Sequence, residues 1–276
     1  MKALTLLAAL MIAASSVHLE AARLQVLVTI PPQAEWVERV GGEGVEVTVL
    51  VPPGANPHTY EPTPRQLKKV AQADLYAIVG SGIEFEVAWL GKIRRLNPRL
   101  FILDCSKGVQ RLADDPHLWL SLRNAQRMVE NLLEGLSRLD PEHSGLYRER
   151  AEAYLKELRE LDAELSRLFS NAKGRAFMTF HPAWGYFARD YGLRQLVIEQ
   201  GGKSPSPKAM VRLAEEAKEE GISVIFASPQ FDRRAAEAVA RSIGAGVMLL
   251  DPLARDYLEN MHRAAHAIAR ALGIFP

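Results

Sequence analysis

Residues 175–192 (RAFMTFHPAWGYFARDYG) place an imidazole at an abrupt change of pattern. An apolar run through Phe180 reads as a buried strand, His181 follows it, and Pro182 precedes a helical stretch. A histidine so placed stands at the carboxyl end of a strand, where open α/β sheets put their ligands. His58 and His117 occupy similar loops after predicted strands, and Asp251 follows the last predicted strand. Three neutral imidazoles and one carboxylate form a four-coordinate donor set suited to Zn²⁺ and tolerable for Mn²⁺ or Fe²⁺, with the carboxylate offsetting part of the ion's charge. One loop histidine alone is more often an ordinary surface or turn residue; the joint pattern is what points to a metal. The same residues also fit a zinc hydrolase, with three histidine ligands and Asp251 as general base at an open coordination position. Against that, no further carboxylate or nucleophile in those loops has an assignable role. A binding protein for a chelated metal or vitamin is a third reading, but such a pocket would not need three imidazoles.

The elements that must position these residues alternate. Strands are predicted over 24–30, 45–51, 74–79 and 100–104, with helices over 34–40, 63–71, 85–96 and 121–139. Thr63 reads as a helix N-cap and Pro64 as the first helical residue. Next comes the longest periodic segment, with Leu155, Leu158, Leu161, Leu165 and Leu168 at spacings of three and four. One helix over 142–170 follows from it, on the order of 40 Å long at 1.5 Å per residue. A coiled-coil dimer is the alternative there, disfavoured because clean e/g charge pairing is missing. A second α/β set follows, with strands over 175–180, 193–198, 223–227 and 247–250 and helices over 183–191, 206–220, 233–243 and 257–272. The fold expected is α/β, with two lobes that each carry a four-stranded, mainly parallel sheet flanked by helices. The lobes span 23–141 and 171–276, and the helix over 142–170 joins them. If the strand ends of the two lobes face each other, the four candidate ligands share one cleft.

Residues 1–22 read differently. Met1-Lys2 precedes an apolar run of about a dozen residues and then small residues, the pattern of a secretory signal. The run is short for a bilayer span. A periplasmic or otherwise extracytoplasmic protein is therefore expected, and no cysteine stands near the start to carry a lipid. The 276 residues are 48% apolar with a formal net charge of +1 and no basic block, so nucleic acid is not an expected partner. The single cysteine, Cys105, cannot form an internal disulfide and reads as a small core residue.

Other candidates carry less. Gly201-Gly-Lys-Ser204 looks like the end of a phosphate loop, but Val197 stands where the earlier glycine is required. His262 and His266 lie four apart on a predicted helix, as zinc-protease histidines do, but Arg263 replaces the catalytic glutamate, so a solvated helix face is expected. His143 sits at a helix start and His18 in the signal segment. Trp119 and Trp184, near two of the ligands, suit either the cleft wall or the core.

Four motifs, in order along the chain, carry a family resemblance: residues 57–64 (PHTYEPTP), 115–119 (DPHLW), 180–187 (FHPAWGYF) and 228–231 (SPQF). Together they resemble the zinc- and manganese-uptake substrate-binding proteins of ABC transporters, over essentially the whole chain after residue 22. The resemblance implies two α/β lobes joined by one long helix, a metal between them, and ligand roles for His58, His117, His181 and, by its place in LLDPL, Asp251. It implies a monomeric binding protein rather than an enzyme, with a divalent ion as transported substrate and an ABC permease in the membrane as partner. Many zinc-specific relatives carry a histidine-rich loop before the second ligand; residues 110–116 contain no histidine. Manganese-specific relatives typically have glutamate where His181 stands, so zinc is favoured, with Mn²⁺ or Fe²⁺ as the alternative cargo.

Overall fold

The computed structural model describes residues 23–112, 115–199, 205–231 and 233–274. Residues 1–22, where a signal is expected and which include His18, and the stretch 201–204 lie outside these residues. In the first half, strands β1 (Leu24–Val28), β2 (Val45–Val49), β3 (Leu75–Ile78) and β4 (Phe101–Asp104) alternate with helices α1 (Pro31–Gly41), α2 (Pro64–Gln72) and α3 (Glu84–Leu96). Helices α4 (Leu122–Leu139) and α5 (Ser144–Leu168) lead to the second half. There β5 (Ala176–Thr179), β6 (Arg194–Val197), β7 (Val224–Ala227) and β8 (Gly246–Leu249) alternate with α6 (Gly185–Tyr191), α7 (Pro207–Glu219) and α8 (Arg233–Ile243), and α9 (Tyr257–Ala271) closes the fold.

Both sheets are four-stranded and have the same order, β2-β1-β3-β4 and β6-β5-β7-β8. Every pairing is parallel. Parallel sheets are covered on both faces, so their strands are apolar on both sides. In β1, Val26 and Val28 enter one core while Leu27 enters another. In β5, Phe177 faces the first core and Ala176 and Met178 a third. The first of these cores is continuous between the lobes, running from Val26 and Leu75 of one sheet to Phe177 and Phe226 of the other.

The leucine stripe of α5 explains that continuity. Leu155, Leu158, Leu161 and Leu165 are buried, and Tyr147, Ala151 and Tyr154 extend the same face. The helix packs against α1, α4 and α9. It is thus part of the core that both lobes share, which opposes a wide hinge. Thr63 caps α2 as the pattern predicts: its hydroxyl accepts from Gln66 N and Gln66 Oε1 accepts from Thr63 N. Helix α1 begins earlier than expected, at Pro31 rather than Ala34. The first turn of a helix makes no use of the N–H that proline lacks, so Pro31-Pro32 opens the helix as well as ending the strand.

At the carboxyl ends of β1 and β3, where the strand order reverses, the exit loops are tied by buried side chains. Gln33 Oε1 accepts from Thr29 N and Ile30 N, and its Nε2 donates to Ala77 O at 3.1 Å. The buried Glu86 carboxylate accepts from Val79 N at 2.6 Å, Gly80 N at 2.9 Å and the Thr29 hydroxyl. Gly80 is required there: its φ is +76°, and a Cβ would meet Asp104 Oδ1. His58 and His117 follow β2 and β4, the strands on either side of this braced pair, and His181 and Asp251 follow β5 and β8 of the second sheet. Cys105 is buried, and burial raises its thiol pKa.

Candidate metal centre

His58, His117 and His181 converge. One ring nitrogen of each lies within 4.8 Å of the others, and the ring centroids are 5.1–5.7 Å apart. His117 Nε2 and His181 Nε2 are 3.3 Å apart. That is about the spacing of neighbouring donors on a four-coordinate ion with bonds of roughly 2.0–2.1 Å.

What turns the nitrogens inward is a carboxylate behind each ring. His58 Nδ1 meets Glu84 Oε2 at 2.6 Å, His117 Nδ1 meets Asp115 Oδ1 at 2.7 Å, and His181 Nδ1 meets Glu199 Oε2 at 3.0 Å. A carboxylate that holds Nδ1–H fixes the tautomer, leaves Nε2 with its lone pair for the ion and raises the ring's basicity. Sequence reasoning missed this set. Asp115, two residues before His117 in the same motif, was the one member with a local signal: its Oδ1 accepts from His117 N at 2.9 Å as well as from the ring.

Local structure fixes each ring further. Asn56 Oδ1 accepts from His58 N at 2.9 Å. Phe231 stacks on the His181 ring at 4.2 Å between centroids. Gly185 leaves space for Asp115, since a Cβ there would lie 2.6 Å from Asp115 Oδ2. Trp119 is a wall residue, 5.3 Å from the His117 ring, with its indole N–H donating to Pro252 O at 2.7 Å. Trp184 instead packs in the core against Phe187. Burial pulls the His117 pKa below its ordinary value, the Asp115 carboxylate works against that, and the neighbouring His181 and His58 add to it. Burial thus favours the neutral imidazole, the form in which a histidine can ligate a metal.

The structure does not bring Asp251 into the group of three. Its Oδ1 accepts from Gln230 Nε2 at 2.7 Å and from Leu253 N at 2.9 Å. The next two residues, Pro252 and Leu253, line the same small hollow as the three imidazoles. A wider cleft of about 820 Å³ opens in front, bordered by Asn56, Glu84, Arg111, Gln195 and Glu199.

His117 follows a strand of the first sheet but is anchored from the second half. Tyr186 of α6 accepts from Leu112 N at 2.8 Å and donates to Asp115 O at 3.1 Å. Tyr257 of α9 donates to Trp119 O at 2.6 Å. The His117 loop is thus tied to the half that carries His181, while His58 and its partner Glu84 lie in the first half.

Among the described residues no helix is long and apolar enough to cross a membrane. The family model for the periplasmic zinc-uptake complex component A, ZnuA, matches residues 26–271. A protein of Chlamydia muridarum described as metal-binding is 32% identical over 249 residues, 89% of this chain and 90% of that protein. The high-affinity zinc uptake system protein ZnuA of Bacillus subtilis is 28% identical over 252 residues, 84% of this chain and 79% of its own length. A crystal structure of ZnuA superposes with a TM-score of 0.87 at 39% identity, covering 91% of this chain and all of that one. Three inward-facing imidazoles between two parallel α/β lobes agree with that likeness, and the chain belongs to the ZnuA family of metal-binding solute-binding proteins, which are not enzymes.

Proposed function

We propose that this protein captures a single Zn²⁺ outside the cytoplasmic membrane and delivers it to the membrane permease of an ABC importer. The observation that carries the reading is the convergence of three histidines whose Nδ1 atoms all rest on carboxylates. His58, His117 and His181 then bind the ion through Nε2. Asp251 supplies the fourth donor once its carboxylate exchanges its bond to Gln230 for the ion; in support, its neighbours Pro252 and Leu253 border the hollow. Three imidazoles favour the borderline metal Zn²⁺ over the harder Mn²⁺, which prefers oxygen donors.

Capture joins two bodies. The ion links His58, on the first, to His117 and His181, on the second, and release begins at His58, whose partner Glu84 is 60% exposed. The continuous core along α5 keeps the motion to a small tilt. Membership of a family described as a component of a zinc-uptake complex supports delivery to a permease.

Titration of the metal-stripped protein with Zn²⁺ in competition with Mn²⁺, with bound metal read by elemental analysis, tests this. One tight zinc that excess manganese does not displace is expected, and His181→Ala removes it. Preference for manganese, or a His181→Ala protein that retains affinity within about threefold, well under 1 kcal/mol, refutes the assignment.

A further inference from the structure

A second group of metal-type donors lies where α5 meets α9. Glu164 Oε1 is 3.3 Å from His262 Nε2 and 3.4 Å from His266 Nε2. All three atoms lie within 4.8 Å of one another. His262 and His266 are four apart on α9, so they share a helix face, and their ring centroids are 4.3 Å apart. Glu164 comes from the other helix.

We propose that Glu164, His262 and His266 form a second site for a first-row divalent transition-metal ion, separate from the cleft. Two imidazoles and a carboxylate are the donors such ions take at sites that keep positions open to water. The two measured separations are close to the roughly 3.3 Å between neighbouring donors on a tetrahedral ion with bonds of about 2.0–2.1 Å. The side chains of Glu164, His262 and His266 are 45%, 43% and 21% exposed, so the ion enters from solvent and water completes its shell. A hollow of about 400 Å³ beside Glu164 and His266, with Leu168 and Ile274 at its border, provides the room. Exposure also makes this the weaker site, because its donors are less fixed than the cleft imidazoles. The competing reading is a pair of surface ion pairs between one carboxylate and protonated histidines. Occupation by an ion would pin the last helix to the helix that both lobes share.

The full chain, stripped of metal and dialysed against graded Zn²⁺, is read for metal per chain by elemental analysis. Two equivalents are expected. The double variant His262→Ala/His266→Ala loses the weaker one and keeps the tighter; Glu164→Gln, on the other helix, does the same; His181→Ala loses the tighter and keeps the weaker. In the His181→Ala protein, zinc slows amide exchange in α9, and adding the double substitution abolishes that effect. A single equivalent in the unsubstituted chain overturns the proposal. So does a second equivalent that survives the double substitution. Because the two sites are removed by different variants, failure here leaves the cleft assignment untouched.

Discussion

The carboxylates behind the histidines give a quantitative test, because their distances and their exposures rank them in opposite orders. Glu84 makes the shorter contact, 2.6 Å to His58 Nδ1, but its side chain is 60% exposed. Glu199 makes the longer one, 3.0 Å to His181 Nδ1, with both side chains 8% exposed. If contact length set the contribution, Glu84→Gln would be the more damaging change. If solvent screening sets it, Glu199→Gln is worse, since an exposed pair is worth about 0–1 kcal/mol while loss of a buried outer-shell partner typically costs 10–100-fold in metal affinity. We expect Glu199→Gln to weaken zinc binding about 10–30-fold, roughly 1.4–2 kcal/mol. Glutamine still accepts from Nδ1–H but brings no charge. Glu84→Gln should cost about threefold or less, and Asp115→Asn, with a side chain 16% exposed, should fall between them. Competition against a chelator of known zinc affinity measures all three, and unchanged melting of the metal-free variants confirms that the fold is intact. Equal losses for Glu84→Gln and Glu199→Gln, or a larger one for Glu84→Gln, would refute the screening argument. No loss in any of them would refute the role given to the carboxylates.

Other outcomes follow from the same geometry. Gly185→Ala places a methyl 2.6 Å from Asp115 Oδ2, so it should displace that carboxylate from His117 and weaken zinc binding about tenfold; tight binding by this variant, read in the same competition assay, would show that Asp115 has room to yield. The folded-state pKa of His117 is lowered by burial, so the unfolded chain takes up more protons over that range. The stability His117 contributes to the metal-free protein is therefore present above its ordinary pKa and lost as pH falls through the lowered one; chemical denaturation in steps below pH 7 should show a decline that His117→Phe flattens. Leu158→Ala, at a fully buried position of α5, should cost about 2–5 kcal/mol in denaturant unfolding while leaving one zinc in the cleft. Carbon-13 NMR should find Glu86, whose burial raises its carboxyl pKa to about 6, titrating near that pH.

Much of the architecture was legible because parallel strands and buried helix faces write strong patterns. Each of the eight strands ends within two residues of its expected position, and the stripe from Leu155 to Leu165 is buried as its period predicts. The histidine triad was legible for a similar reason: each residue stands in a loop that breaks an apolar run. Its supports were not. Glu84 and Glu199 lie 26 and 18 residues from the rings they hold, and only the folded sheet decides which loop carboxylate reaches which nitrogen. His262 and His266 read as a solvated face because one helix was considered alone. They are partly exposed, but Glu164, which meets both, is 102 residues from His266. A motif within one element cannot show a partner that lies on a packed neighbour.

The asymmetry of the triad has a mechanical meaning that the matching strand orders conceal. Two equal lobes suggest a clamp whose ligands divide evenly. The chain instead ties the loop that carries His117 to the second half, through Tyr186 before it and Pro252 and Tyr257 beyond it. His117 and His181 are already 3.3 Å apart at Nε2. All three imidazoles are thus set together, with His58 held by Asn56 and Glu84 of the first half. Pre-positioning lowers the entropic cost of capture. On the function proposed above, release would start at His58, whose side chain is 19% exposed against 4% for His117 and 8% for His181, without disturbing the core along α5. Under the proposed carrier function, a His117–His181 pair tied to the second half and a His58 held from the first would serve both capture and delivery with little rearrangement of the fold.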